Sequence, residues 1–102
     1  MAKTLLWENS GTSATNITLT ESYENFDYLE FELIKTTSPN CTPPNAYISV
    51  SDLMNNTTNI FQMYAGSTNY ISFNKPTSEP KTTFTYVSRS NLIVKKVYGI
   101  KY

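Results

Sequence analysis

Apolar residues in this chain recur at every second position in short runs, and Gly, Pro, Asn and Ser break the runs apart. That alternation predicts half-buried strands rather than helices. The clearest run is Tyr28 to Ile34, where Leu29, Phe31 and Leu33 alternate with Glu30 and Glu32. One face of this strand should meet the core and the other should meet water or a partner. Lys3 to Glu8 comes before it, with Leu5 and Trp7 on one face and Trp7 read as core. Ile17 to Thr20 turns Ile17 and Leu19 inward, and Tyr47 to Ser51 does the same with Ile48 and Val50. Ile60 to Tyr64 and Tyr70 to Phe73 flank Ala65-Gly66-Ser67-Thr68-Asn69, a spacing that suits a hairpin. Lys81 to Val87 sets Phe84 and Tyr86 on one side, and Leu92 to Ile100 is the last strand.

The last strand carries a conflict. Leu92, Val94, Tyr98 and Ile100 share one face, yet Lys96 falls among them. A β-bulge at Lys95-Lys96 would shift the phase and remove the conflict, and an edge strand with Lys96 turned to water would do so equally well. Between the strands lie a loop at 9–13, a Pro-bearing loop at 36–45, a polar connection at 52–59 and a second Pro-bearing loop at 74–80. Asp52-Leu53-Met54 could start a single helical turn, and Tyr23 to Tyr28 could form an irregular one. The expected fold is all-β, an antiparallel β-sandwich, jelly-roll-like, of about eight strands in one domain spanning 1–102. An open barrel with the same strand count would give the same pattern.

Composition narrows the function. The formal net charge is zero, from 8 Lys and Arg against 8 Asp and Glu. A nucleic-acid binder needs a basic excess, so none is expected here. No apolar run approaches the roughly 20 residues of a membrane-spanning helix, and the start has no stretch suited to a signal peptide. Membrane insertion is therefore not expected. His is absent and Cys occurs once, as Cys41. This removes an intrachain disulfide, a His/Cys zinc site, and catalysis by Ser–His or Cys–His pairs. Only carboxylate chemistry survives. Glu30 and Glu32 stand about 6.5–7 Å apart along one strand face, a spacing that a glycosidase would permit. Alternating acids on an exposed face are ordinary solvation, however, and the chain reads as non-enzymatic. Asp27 and Asp52 form no clustered calcium loop. No metal or cofactor is expected.

Charge is also unevenly placed. Five acids lie between Glu21 and Glu32, and six bases lie between Lys75 and Lys101. Glu30 or Glu32 could pair with Lys95 or Lys101 across neighbouring strands, giving a self-compensating surface; contact between copies is the other reading. Ser, Thr and Asn together supply 37 of 102 residues, and Tyr supplies 8. Tyr offers a ring for the apolar face of a sugar and a hydroxyl for its polar edge. The candidate ligand-binding residues are therefore Tyr47, Tyr64 and Tyr70 with Asn40, Asn45, Asn55 and Asn69. The plainer reading has these tyrosines capping the sandwich. If the 34–47 and 50–60 connections share one end, they would build one binding rim. The glycosylation-like triplets, such as Asn16-Ile17-Thr18 and Asn40-Cys41-Thr42, carry no weight in a chain so rich in Asn and Thr.

Two stretches are similar to a known family. Lys3-Thr4-Leu5-Leu6-Trp7-Glu8-Asn9-Ser10 with Ser22-Tyr23-Glu24-Asn25-Phe26-Asp27-Tyr28-Leu29-Glu30-Phe31-Glu32 resembles the start of small tail-fibre and receptor-binding modules of tailed bacteriophages. Asn91 to Lys101 resembles their common ending. The resemblance covers about a third of the chain and carries no catalytic residues. It implies a β-sandwich virion module, often a homotrimer, joined to a tail fibre, head fibre or baseplate and exposed on the particle. With no shaft ahead of Met1, the expectation is a free-standing small virion protein. It would be a fibre tip that binds a host-surface glycan for host attachment, or a capsid decoration or connector that docks on other virion proteins.

Overall fold

A computed structural model describes residues 1–36 and 43–102. Its described residues form eight strands: β1 (Ala2–Glu8), β2 (Ile17–Thr18), β3 (Tyr28–Lys35), β4 (Ala46–Ser49), β5 (Ile60–Ala65), β6 (Asn69–Asn74), β7 (Thr83–Ser90) and β8 (Leu92–Lys101). A 3-10 turn covers Tyr23–Asn25 and a short helix, α1, covers Val50–Asn55. The strands make two four-stranded antiparallel sheets, ordered β1-β8-β3-β4 and β2-β7-β6-β5. This is the all-β sandwich expected from the alternation. The first strand pairs with the last and the second with the seventh, which gives the jelly-roll-like nesting. The nesting stops there, because β3 takes β4 and β6 takes β5 as partner.

The core lies between the sheets. Leu29, Phe31 and Leu33 of β3 face Phe73 of β6 and Phe84 of β7, with Ile17, Leu19 and Met63 around them. Phe31 and Phe84 meet edge to face, ring centres 6.1 Å apart, and Phe61 joins the same cluster. Aromatic pairs in this geometry add to the burial term by about 0.5–1.5 kcal/mol each. Gly99 of β8 lets the ring of Phe26 lie directly on the strand; a Cβ there would come within 2.5 Å of it.

Three bulges interrupt the ladders, one between β6 and β7 and two in the first sheet, and those two set its register. β8 carries one extra residue against β3, since Glu32 opposes Lys96 while Leu33 opposes Val94. The bulge expected at Lys95-Lys96 is present, and the edge-strand alternative is excluded because β8 is central. Leu92 and Val94 point inward before the bulge, and Val97 and Gly99 do so after it. Tyr98 and Ile100, expected on the inner face, therefore lie on the outer one. The second bulge is on β1, where Leu5 opposes Tyr98 and Trp7 opposes Val97. The inserted residue is Leu6, which is buried, while Leu5 is 46% exposed. The expectation that Leu5 packs inward with Trp7 is thus corrected: the bulge puts Leu6 in its place, and Trp7 packs half-buried against the core.

The helical turn signalled by Asp52-Leu53-Met54 is α1. Ser49 caps it by accepting the Asp52 N–H at 3.3 Å, and Val50 and Leu53 are buried. β4 consequently ends at Ser49, before the predicted Val50-Ser51. At the other end of α1, the Lys75 ammonium donates to the carbonyls of Leu53 (2.6 Å) and Asn56 (2.9 Å), filling acceptors a helix end leaves open. The hairpin β5–β6 turns through Gly66, Ser67 and Thr68, with Gly66 at φ +79°. Asn91, at φ +63°, joins β7 directly to β8; asparagine tolerates that left-handed backbone better than most residues.

Candidate functional site

Antiparallel register aligns one row of side chains across the outer face of the first sheet. Leu5 of β1 opposes Tyr98 of β8, Tyr98 opposes Glu30 of β3, and Glu30 opposes Tyr47 of β4. Directly opposed residues share a face. The outer surface of the first sheet is therefore Leu5–Tyr98–Glu30–Tyr47 from edge to edge.

Glu30, expected to face water, is only 3% exposed. Burying a lone carboxylate is costly, so its partners must hold it. Lys3 reaches over the sheet from β1, its Nζ 4.3 Å from the centre of the Tyr98 ring and 3.1 Å from Glu30 Oε1. Asn45, just before β4, donates its Nδ2 to Glu30 Oε2. The hydrogen bond to Glu30 raises the Lys3 pKa above its ordinary 10.5. The salt-bridge partner of Glu30 is Lys3, not the expected Lys95 or Lys101. Those two donate instead to the carbonyls of Gly11 and Asn25. Glu8 lies 3.9 Å from Lys96 and Glu24 lies 3.9 Å from Lys81. Of these, Glu24–Lys81 joins the acidic 21–32 stretch to the basic 75–101 stretch, and Glu8–Lys96 crosses from β1 to β8.

Around this neutralised centre the face mixes exposed apolar side chains with a charged row, Glu8–Lys96–Glu32, on the same side of the sheet. Tyr47 is 61% exposed, Leu5 46% and Tyr28 38%. Tyr102 closes one corner, its ring edge-on to Tyr28 at 5.9 Å and its N–H donating to Asp27 Oδ2 at 2.7 Å. At the middle of this sheet face the ring and aliphatic surface surrounds a charge that is already paired.

The other candidate residues fall elsewhere. Tyr47 and Asn45 belong to the Glu30 row. Tyr64 and Tyr70 oppose each other across the β5–β6 hairpin, on the outer face of the second sheet. Asn69, at the hairpin end, accepts from Asn91 at 3.2 Å. Asn55 is exposed at the end of α1, and Asn40, with Cys41, lies outside the described residues. The single rim does not form. β3 and β4 are antiparallel, so the 36–45 connection leaves at the Lys35 end, while 50–59 begins at the Tyr28 end. Sequence reading missed Glu30 and Lys3 as a pair. The available signal was Lys3 itself, in a strand destined to lie beside β8.

A groove of about 430 Å³ runs along the 74–80 loop and β7. Its lining is Asn, Thr, Ser, Pro, Lys75 and Glu79, with no aromatic ring. Among the described residues no group of three or more acidic, His or Cys side chains could hold a metal ion, and no helix is long and apolar enough to cross a membrane. The chain matches no known family model and no curated protein.

Proposed function

We propose that this chain is a non-enzymatic virion protein of a tailed bacteriophage. It serves as a structural docking module whose outer first-sheet face seats on another virion protein. The virion assignment rests on the resemblance of the two chain ends. The docking role rests on one observation: the exposed apolar side chains Leu5, Tyr28 and Tyr47 spread over the outer face of one sheet, where a glycan adhesin would gather them in a concave rim. Its centre supports the same reading, since Glu30 and Lys3 there neutralise each other. The carboxylate that an enzyme would need is committed to Lys3 and Asn45.

Binding of a host-surface glycan is the second reading, carried by the Tyr64–Tyr70 pair on the outer face of the second sheet. The test uses purified particles from the phage that encodes the chain. Wild-type chain should co-purify with them, and Tyr47→Glu and Leu5→Glu should abolish incorporation while leaving the circular dichroism unchanged. Normal incorporation of both variants, with glycan capture lost in Tyr64→Ala, would favour the second reading.

A further inference from the structure

The strand β5 is an edge with none of the usual protection. Sheet edges avoid pairing with other chains by being short, charged, bulged or prolyl. β1 carries Lys3, Glu8 and a bulge; β4 has four residues and β2 has two. β5 is six residues long, Ile60-Phe61-Gln62-Met63-Tyr64-Ala65, with no charge, no proline and an unbroken register against β6. Among the described residues no strand pairs with its other side.

The orientation of its backbone follows from one bond. The Lys75 N–H donates to Asn59 O at 2.8 Å, so Asn59 and Lys75 are a hydrogen-bonded pair of this ladder. Such pairs alternate along antiparallel strands. Phe61 and Met63 therefore bond toward β6, and Ile60, Gln62 and Tyr64 aim their N–H and C=O groups outward. The Thr58 hydroxyl agrees, donating to the outward Ile60 carbonyl at 3.3 Å.

We propose that this edge is a dimer seam occupied by a second copy of the chain. The two β5 strands pair antiparallel about a two-fold axis through Gln62. Gln62 then opposes its own counterpart, and Ile60 opposes the partner's Tyr64. These are the outward-aimed residues, so all three pairs fall in hydrogen-bonded positions. On the outer face Tyr64 covers the partner's Ile60, both of which are exposed in the single chain. On the inner face Phe61 meets the partner's Met63. No like charges face each other. Two four-stranded sheets become one continuous sheet of eight. An isologous seam closes at two chains. The three-chain assembly implied by the resemblance would use a different surface.

Sedimentation equilibrium of the full chain at about 100 µM, above the micromolar range of weak specific interfaces, tests this. The expected mass is twice 11.6 kDa. Gln62→Lys places two ammonium groups across the axis and should weaken the dimer by about 100-fold or more. Gln62→Glu should do likewise, and mixing the two variants should restore a mass of two chains. Circular dichroism of each variant should match the wild type, because the Gln62 side chain is exposed and its backbone N–H bonds nothing in β6. A monomer or trimer in the wild type overturns the proposal, as does a dimer that survives both substitutions.

Discussion

Replacing Gly99 with alanine would force a choice on the core. The added Cβ would lie 2.5–2.7 Å from three carbons of the Phe26 ring. Carbon atoms settle at roughly 3.5–4.0 Å, so the ring must shift by about 1 Å or leave. A shift within packed surroundings is overpacking, at about 1–3 kcal/mol. Expulsion returns a phenylalanine to water and forfeits roughly 1.5–3 kcal/mol. Phe26 is 9% exposed and sits at the rim of the core, so both routes are open. Against them stands a gain of ~0.4–1 kcal/mol from a less flexible unfolded chain. The net expectation is a loss of about 1–2 kcal/mol. At roughly 4–8 °C per kcal/mol for a domain of this size, Gly99→Ala should melt about 5–15 °C below the wild type. Urea unfolding followed by the fluorescence of Trp7 gives the free energy directly. In Phe26→Ala the clash is absent, so the double variant should be more stable than the sum of the single losses predicts. A Gly99→Ala protein as stable as the wild type, or strict additivity with Phe26→Ala, would refute the packing of this ring on the glycine.

Three further outcomes can be checked by the same unfolding experiments. Leu6→Ala should cost about 2–5 kcal/mol and Leu5→Ala less than about 0.5 kcal/mol, the reverse of what simple alternation along β1 predicts. Lys75→Met should lose about 1–3 kcal/mol and speed amide hydrogen exchange across 50–56, because the carbonyls of Leu53 and Asn56 lose their donor. Stability should also fall in alkali. The hydrogen bond to Glu30 raises the Lys3 pKa above 10.5, and burial raises the Tyr23 pKa above 10.0. Both groups hold protons more tightly when folded, so their contribution is complete below those ordinary values and is lost as pH rises through the folded ones. A pH series of melts should be level on this account up to about pH 10 and should decline above it.

Strands with clean alternation were legible. Leu29, Phe31 and Leu33 announce β3, and Ile17 and Leu19 announce an inward turn of the chain, because period two translates directly into a buried face. The β8 bulge was half legible: Lys96 in an apolar row signals either a phase shift or an edge strand, and the central place of β8 in its sheet decides between them. The β1 bulge was not. Leu5 and Leu6 are equally apolar, so nothing local tells which one the extra residue brings inward; the register against Val97 and Tyr98 decides it. Glu30 shows the same limit. Alternation assigns it to the outer face correctly, but its burial comes from Tyr98, Tyr47, Asn45 and Lys3, which arrive from three other parts of the chain. Of the candidate binding residues, Tyr47 with Asn45 and Tyr64 with Tyr70 do come together, but on opposite sheets, and Asn69 alternates onto the other face of β6. Composition can nominate tyrosines; only strand order says which of them share a surface.

Electron cryomicroscopy of the assembled particle tests the docking account most directly. The account predicts that the outer face of the β1-β8-β3-β4 sheet lies against a neighbouring virion protein, with Tyr47 and Leu5 buried and the Glu30–Lys3 pair sealed beneath them. A particle in which that face is open to solvent, or one that lacks the chain altogether, would contradict it.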